Sequence, residues 1–303
     1  MRIFLTGGTG YIGAAVLDAL TRAGHRVHAL VRNSHNAAHL QKRGATPVLG
    51  ELGDPASYAD AAAAADGIIH TAFEYSARGP QLDQTAVDAL LTAAAQSKTV
   101  RCFIYTSSVW VLGNAPSPTD ETAPVNPIEL SKWRPPQEQR VLNAATPTLR
   151  TVVVRPGIVY GGARGIVGDI LKDAANSLVR VIGSGDNRWP LIYDRDLADL
   201  YLRLVDRQEA SGIFHANDEG DERVNDIVAA IGEHAKTTPS VRHIPITEAR
   251  QKMGPYADGL ALDQVVRSPR ARALGWSPSL KSVSGNAARL FEEWRRAAMI
   301  NAE

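Results

Sequence analysis

The stretch IFLTGGTGYIG at residues 3–13 limits what this chain can fold into more than any other. A short apolar run leads into Gly7, Gly10 and Gly13, spaced G-x-x-G-x-x-G, and residues 12–23 then read as an amphipathic helix. Glycine permits a tight turn, close approach of the backbone to a ligand, and close packing of helix on strand. A helix entered through such a turn points its free N–H groups and the positive end of its dipole outward, toward an anion. The spacing suits the pyrophosphate of a dinucleotide. The competing reading is an ordinary glycine-rich turn, which the flanking strand and helix disfavour.

The first half of the chain repeats the same alternation. Apolar runs at 2–6, 26–31, 46–49, 67–72, 101–107 and 150–155 are short, rich in Val and Ile, and continuous. Runs of that kind are strands buried on both faces. Helix-like stretches lie between them at 12–23, 35–43, 56–65, 80–96 and 135–146. The fold class expected is α/β: a Rossmann-type doubly wound parallel sheet with helices on both faces. After residue 156 Gly and Pro become frequent, and helical stretches continue at 164–175, 194–206, 222–235 and 285–298. This predicts a smaller, interleaved α/β substrate domain. Residues 1–155 and 191–215 are assigned to the dinucleotide-binding domain, and 156–190 and 216–303 to the substrate domain.

Charge and cysteine content narrow the partners. A net charge of +1 gives no blanket attraction to nucleic acid or acidic membranes, so a small-molecule substrate is expected. No apolar run approaches the ~18–20 residues of a membrane span. No charged region followed by a long apolar run opens the chain, so no signal peptide is expected. The single cysteine, Cys102, lies in an apolar run and reads as a small buried hydrophobe. Without a disulfide partner it points to a reducing, cytoplasmic setting.

The second strand bears on which dinucleotide. An NAD site carries Asp or Glu roughly 20 residues past the loop, bonded to the ribose 2′-OH. Here the strand ends HALVRN: Val31 stands at the acid's place, followed by Arg32 and Asn33. A guanidinium binds a 2′-phosphate and stacks on adenine, whereas a carboxylate repels it. NADP(H) is therefore favoured over NAD(H). The alternative is that Arg32 ends a strand in solvent.

These segments together resemble the short-chain dehydrogenase/reductase superfamily, extended or atypical branch, the epimerase/dehydratase-like group. TGGTGYIG at 6–13 resembles its phosphate loop, which implies that Gly7, Thr9, Gly10, Tyr11, Ile12 and Gly13 hold the cofactor. GEL at 50–52 is similar to its GDL, implying that Glu51 and Leu52 flank the adenine. IIHTAF at 68–73 resembles its VIHLAA, which places Thr71, Ala72 and Phe73 along the cofactor. FIYTSS at 103–108 resembles the strand with the active-site serine, here Ser108, and adds Thr106. RPGIVYG at 155–161 is similar to the segment beside the nicotinamide, implying Pro156, Gly157 and Val159. NRWPLIYDRDLADLY at 187–201 and ALGWSP at 273–278 resemble C-terminal elements.

One departure bears on the chemistry. The superfamily carries Tyr-x-x-x-Lys after the serine strand, a proton donor and the lysine that tunes it and holds the ribose. The corresponding stretch, NPIELSKWRPP at 126–136, has no tyrosine in either register. Matching Lys132 puts Ile128 at the tyrosine position; matching Glu138 to the family's downstream glutamate gives the pair Leu130 and Arg134. Pro135 is expected to start the helix and to push Arg134 out of the α region, leaving 126–134 as a loop or interrupted turn. Lys132 or Arg134 then holds the ribose, or both are solvated. Candidate proton donors are Ser108, Tyr75 and Tyr193, with Tyr160 also near the expected site. Phe73, Trp110, Trp133 and Trp189 suggest an apolar substrate. Three functions compete: an NADP(H)-dependent reductase of a small carbonyl or activated alkene, a non-catalytic NADP-binding sensor, and a sugar-nucleotide epimerase or dehydratase. A homodimer through 80–96 and 135–146 is compatible with the resemblance.

Overall fold

Ile3, Phe4 and Leu5 expose no surface. Three consecutive buried side chains require cover on both faces of a strand, and the architecture supplies it. The computed structural model describes residues 1–300. Its main sheet has seven strands: β1 (Arg2–Thr6), β2 (Arg26–Val31), β3 (Thr46–Leu49), β4 (Gly67–His70), β5 (Cys102–Thr106), β6 (Arg150–Pro156) and β7 (Gly212–Ala216). They lie in the order β7-β6-β5-β4-β1-β2-β3. Every pairing from β3 across to β6 is parallel. The chain builds outward from β1 to one edge, then returns past β1 and builds to the other. The reversal falls between β1 and β4, and open α/β sheets take their ligands at the carboxyl ends of the strands at such a point.

The helices that accompany this sheet include α1 (Tyr11–Arg22), α2 (Ser34–Lys42), α3 (Ala59–Ala63), α4 (Gly79–Gln96) and α5 (Arg134–Asn143). Val87, Leu90, Ala93 and Ala94 of α4 and Val141 of α5 share one core with Phe4, Ile68, Phe103, Tyr105 and Val153 of the sheet. Full burial of each large apolar side chain contributes about 1.5–3 kcal/mol, enough to fix where α4 and α5 lie. Cys102 is buried in β5, and burial pushes its thiol up to about 11.

Differences from the expected elements have local causes. The helix expected at 56–65 breaks into a 3₁₀ turn, Pro55–Ser57, and α3. Tyr58 leaves helical geometry at φ −138° and buries its ring 6.1 Å from that of Phe4. β4 stops at His70, two residues early, and Thr71 Oγ1 instead donates to Thr6 O at 2.7 Å. α5 begins at Arg134, so this residue is helical, contrary to the conformation expected before a proline. Pro135 and Pro136 occupy the first turn, where helix N–H groups have no internal partner to lose. The segment before it holds only a 3₁₀ turn, Glu129–Ser131.

A buried polar chain crosses the layers. Thr6 Oγ1 lies 2.7 Å from His70 Nδ1, His70 Nε2 lies 3.3 Å from Asp83 Oδ1, and Tyr105 OH donates to Asp83 Oδ2 at 2.9 Å. Burial first, then the Asp83 carboxylate, holds the Tyr105 phenol well above its ordinary range.

The chain divides into two compact units. Met1–Ser107, Trp133–Arg155 and Leu197–Phe214 form one; Ser108–Lys132, Pro156–Asp196 and the described residues from His215 onward form the other. The segment 108–132, assigned from sequence to the first domain, groups with the second because of its own pairings. Strand Ala115–Thr119 pairs with Gln264–Val266, and Val109, Val111 and Leu112 pack with Val266. Residues 191–196 follow suit: Asp196 accepts from Leu280 N at 3.0 Å and from Trp276 Nε1, through its backbone carbonyl, at 2.9 Å. The second unit has its own core, including Ile158, Tyr160, Trp189, Leu191, Ile227 and Phe291. Among the described residues no helix is long and apolar enough to cross a membrane, and no cluster of His, Cys, Asp and Glu could hold a metal ion.

Candidate functional site

The glycine loop is a backbone construction. Gly7 turns through φ +77°, and Gly10 N donates to Gly7 O at 2.8 Å. A Cβ on Gly7 would lie 2.7 Å from Ala72 N, and one on Gly13 would lie 2.2 Å from Gly7 O. Any side chain at either position would fill the turn. Gly10 is extended and starts α1 with no side-chain cap, and the first helical bond runs from Ala14 N to Gly10 O at 3.0 Å. An uncapped helix N-terminus behind a cradle that a methyl group would block fits a pyrophosphate. Thr9 is exposed at the tip, while Tyr11 and Ile12 are half-buried in the first turn.

The neighbouring strand ends are less uniform. Val31 is buried, and Arg32 is exposed at the end of β2 with no carboxylate paired to it among the described residues. Asn33 Oδ1 accepts from Asn36 N at 2.9 Å, so this side chain caps α2. Glu51 is exposed and Leu52 half-buried past β3; Glu51 N donates to Ser57 Oγ at 3.2 Å. Glu74, past β4, is held below the usual carboxylate range by the Ser76 hydroxyl first, with Arg78 and Arg32 adding to the effect.

Side chains build the rest. Past β4, Ala72 N donates to Thr6 Oγ1 at 3.3 Å, and Phe73 stacks on Trp133 with ring centroids 5.0 Å apart and planes 8° from parallel. The Arg134 guanidinium lies 4.4 Å from the centre of Trp133 and 5.3 Å from that of Phe73, and Nη1 donates to Thr106 O at 3.2 Å. Thr106 Oγ1 is 2.6 Å from Tyr201 OH. Beside it, Ser107 donates to Glu138 Oε1, and Arg155 grips the same carboxylate through Nε at 3.0 Å and Nη2 at 2.6 Å. Ser107, Glu138 and Arg155 are all buried, and Arg155 Nη1 has no partner among the described residues.

Each expected catalytic residue has its own local partners. Ser108 Oγ accepts from Trp110 N at 3.2 Å, capping the short turn Val109–Leu112. Lys132 is 62% exposed and pairs with Glu129. Tyr75 is 96% exposed, with its ring edge-on to Phe73 at 5.2 Å. Tyr193 is 1% exposed and donates to Glu293 Oε2 at 2.9 Å; burial, then Glu293, pushes its phenol up to about 12. Tyr160 is buried with its hydroxyl 3.4 Å from Asp218, and burial pushes it up further. Pro156 closes β6, Gly157 N donates to Ala216 O at 2.9 Å, and Val159 is half-buried in the strand Ile158–Tyr160. Of the two registers for Tyr-x-x-x-Lys, the one that aligns Glu138 brings Arg134, not Lys132, to the end of β5.

Sequence reasoning passed over Ser107 and Arg155, which the structure joins through Glu138. The signal was available: a charged residue closing the apolar run TVVVR needs a buried partner.

The family model described as "NAD dependent epimerase/dehydratase family" matches residues 3–216. The chain belongs to this family. Its resemblance to extended short-chain dehydrogenases/reductases therefore stands, and family membership brings binding of a nicotinamide cofactor. An uncharacterized protein of Schizosaccharomyces pombe is 32% identical over 289 residues, covering 92% of this chain and 95% of that one. A 4-hydroxy-2-methyl-3-oxo-4-farnesyl-3,4-dihydroquinoline-1-oxide ketoreductase of Stigmatella aurantiaca is 28% identical, covering 82% and 78%. Among solved structures, a human epimerase family protein determined with NADPH superposes with a TM-score of 0.78 at 21% identity, covering 96% and 99%. The family and these names point to an enzyme of the NAD(P)-dependent class.

Proposed function

We propose that the protein is an NADP(H)-dependent oxidoreductase that reduces a small, apolar carbonyl compound or activated alkene without the superfamily's tyrosine. The observation that carries the cofactor choice is Arg32, an exposed guanidinium at the end of β2 with no carboxylate paired to it among the described residues. A 2′-phosphate offers it charge-assisted, bidentate hydrogen bonds. The NADPH named with the human relative and the ketoreductase name of the bacterial one support the same class.

The bound nicotinamide supplies the hydride. The chain's own groups bind and orient: the loop from Gly7 to Gly13 takes the pyrophosphate, Arg32 the 2′-phosphate, and Leu52 the adenine face. Thr71, Ala72 and Phe73 line the path toward β5, where Arg134 can reach the ribose. Arginine stays protonated at any working pH, so it stabilises negative charge by donating hydrogen bonds and does not deliver a proton.

Calorimetry tests the cofactor choice. Wild type binds NADPH more tightly than NADH, and Arg32→Ala weakens NADPH about tenfold with NADH unchanged. Equal affinity of wild type for the two nucleotides would overturn the choice. Consumption of NADPH across ketones, enones and imines tests the reaction. A second reading, a nucleotide sensor without turnover, is favoured by the buried, carboxylate-bound hydroxyls of Tyr160 and Tyr193. Tight NADPH binding with no turnover of any substrate would establish it.

A further inference from the structure

We propose that Phe73, Trp133 and Arg134 form the substrate seat, and that it selects a flat, conjugated carbonyl compound such as an aryl enone. This rests on the reductase reading above. Three planar groups lie together: two aromatic rings only 8° from parallel and a guanidinium 4.4 Å from the centre of one of them. All three are half-buried. Phe73 lies three residues past the end of β4, and Arg134 is tied to Thr106, the last residue of β5. The seat is thus at the carboxyl ends of adjacent strands beside the topological reversal, where such sheets take their ligands.

Its chemistry specifies the occupant. A guanidinium has five donors. Arg134 directs one hydrogen bond at Thr106 O and has no carboxylate partner among the described residues. A half-buried cation without a counter-ion attracts an oxygen that carries, or will carry, negative charge. The adjoining rings attract a π-face by offset stacking. An aliphatic alcohol or a sugar offers the oxygen without the flat face. An aromatic hydrocarbon offers the face without the oxygen. A carbonyl conjugated to an aryl or alkenyl group offers both in one plane. Its reduction also spreads charge onto that oxygen, where donors fixed in place are worth most. Tyr75, edge-on to Phe73 and 96% exposed, flanks the seat on its solvent side.

The nicotinamide ring is itself a flat conjugated carbonyl, so the test separates it from substrate. Wild type saturated with NADP+, which cannot reduce a substrate, is titrated with benzylideneacetone and with its saturated analogue 4-phenylbutan-2-one, following tryptophan fluorescence. The enone binds at least about tenfold more tightly, and the quenching it causes is absent in Trp133→Phe. Arg134→Lys keeps the charge but loses the plane, and weakens the enone about fivefold or more. Calorimetry finds NADP+ affinity within about twofold of wild type in Trp133→Phe. Equal binding of the two ketones overturns the proposal. So does NADP+ alone quenching Trp133 with loss of NADP+ affinity in Trp133→Phe, which would assign the seat to the cofactor. Absence of NADP+ binding by wild type is a different result, and sinks the reductase reading itself.

Discussion

The glycine loop and the segment 129–143 both serve the carboxyl edge of the sheet, yet they are built from opposite materials. The loop is backbone: its shape follows from where a Cβ cannot go. The segment is side chain: Trp133, Arg134 and Glu138 act through partners at positions 73, 106, 107 and 155. A backbone site tolerates no addition. A side-chain site tolerates exchange: the stretch 126–136 holds no tyrosine, and Glu138 ties its helix to Ser107 and Arg155.

The largest effect expected comes from removing that anchor. Glu138→Ala leaves Arg155 as a buried, unpaired cation and lowers stability by about 3–5 kcal/mol in denaturant unfolding. A loss below about 1 kcal/mol would break the comparison, because the segment would then be held by packing alone. Next is Gly13→Ala. Alanine gains about 1 kcal/mol of helix propensity, but the clash with Gly7 O costs about 1–3 kcal/mol, so net destabilisation is small. Nucleotide affinity, which needs the turn intact, falls about 100-fold or more in calorimetry. Unchanged affinity would show that the loop can relax and that the backbone account is wrong.

The smallest effect comes from a carboxyl outside both regions. Asp194 is held by burial first, then by Glu293, up to about 6, above its ordinary value of 3.8, and its Oδ1 has no partner. A carboxyl raised on folding contributes stability when protonated, below its unfolded pKa, and loses it as pH rises through the folded one. Asp194→Asn is therefore more stable than wild type at pH 7–8 by about 1–2 kcal/mol, and the gain vanishes near pH 4. Thermal unfolding across that range checks the sign. If Glu138→Gln erased the same pH dependence, the two carboxylates would be coupled and the regions not independent.

The contrast also explains what could be read in advance. The loop, the strand sequence and the exposed Arg32 were legible because glycine spacing and continuous apolar runs encode them locally. Helix ends were less so: Tyr58 left its helix for a ring contact with Phe4, which no window of sequence contains. The Ser107–Glu138–Arg155 cluster spans separations of 31 and 17 residues, and the neighbouring Ser108 drew attention because its motif position matched. Tyr193 and Tyr160 seemed suited to proton transfer by position along the chain; burial against Glu293 and Asp218 could be known only from the fold.

The chain of contacts from Thr6 through His70 and Asp83 to Tyr105 ties strand register to the pairing of buried polar groups. Its members come from β1, β4, α4 and β5, which are separated by long stretches of sequence. A slip of one position in any strand turns its side chains to the opposite face. A slip in β4 or β5 would take His70 or Tyr105 away from the buried Asp83 side chain and leave it short of a hydrogen bond, a cost of about 1–3 kcal/mol that ordinary apolar mispairing does not carry. Misaligned pairings of these strands therefore lose more than apolar contact.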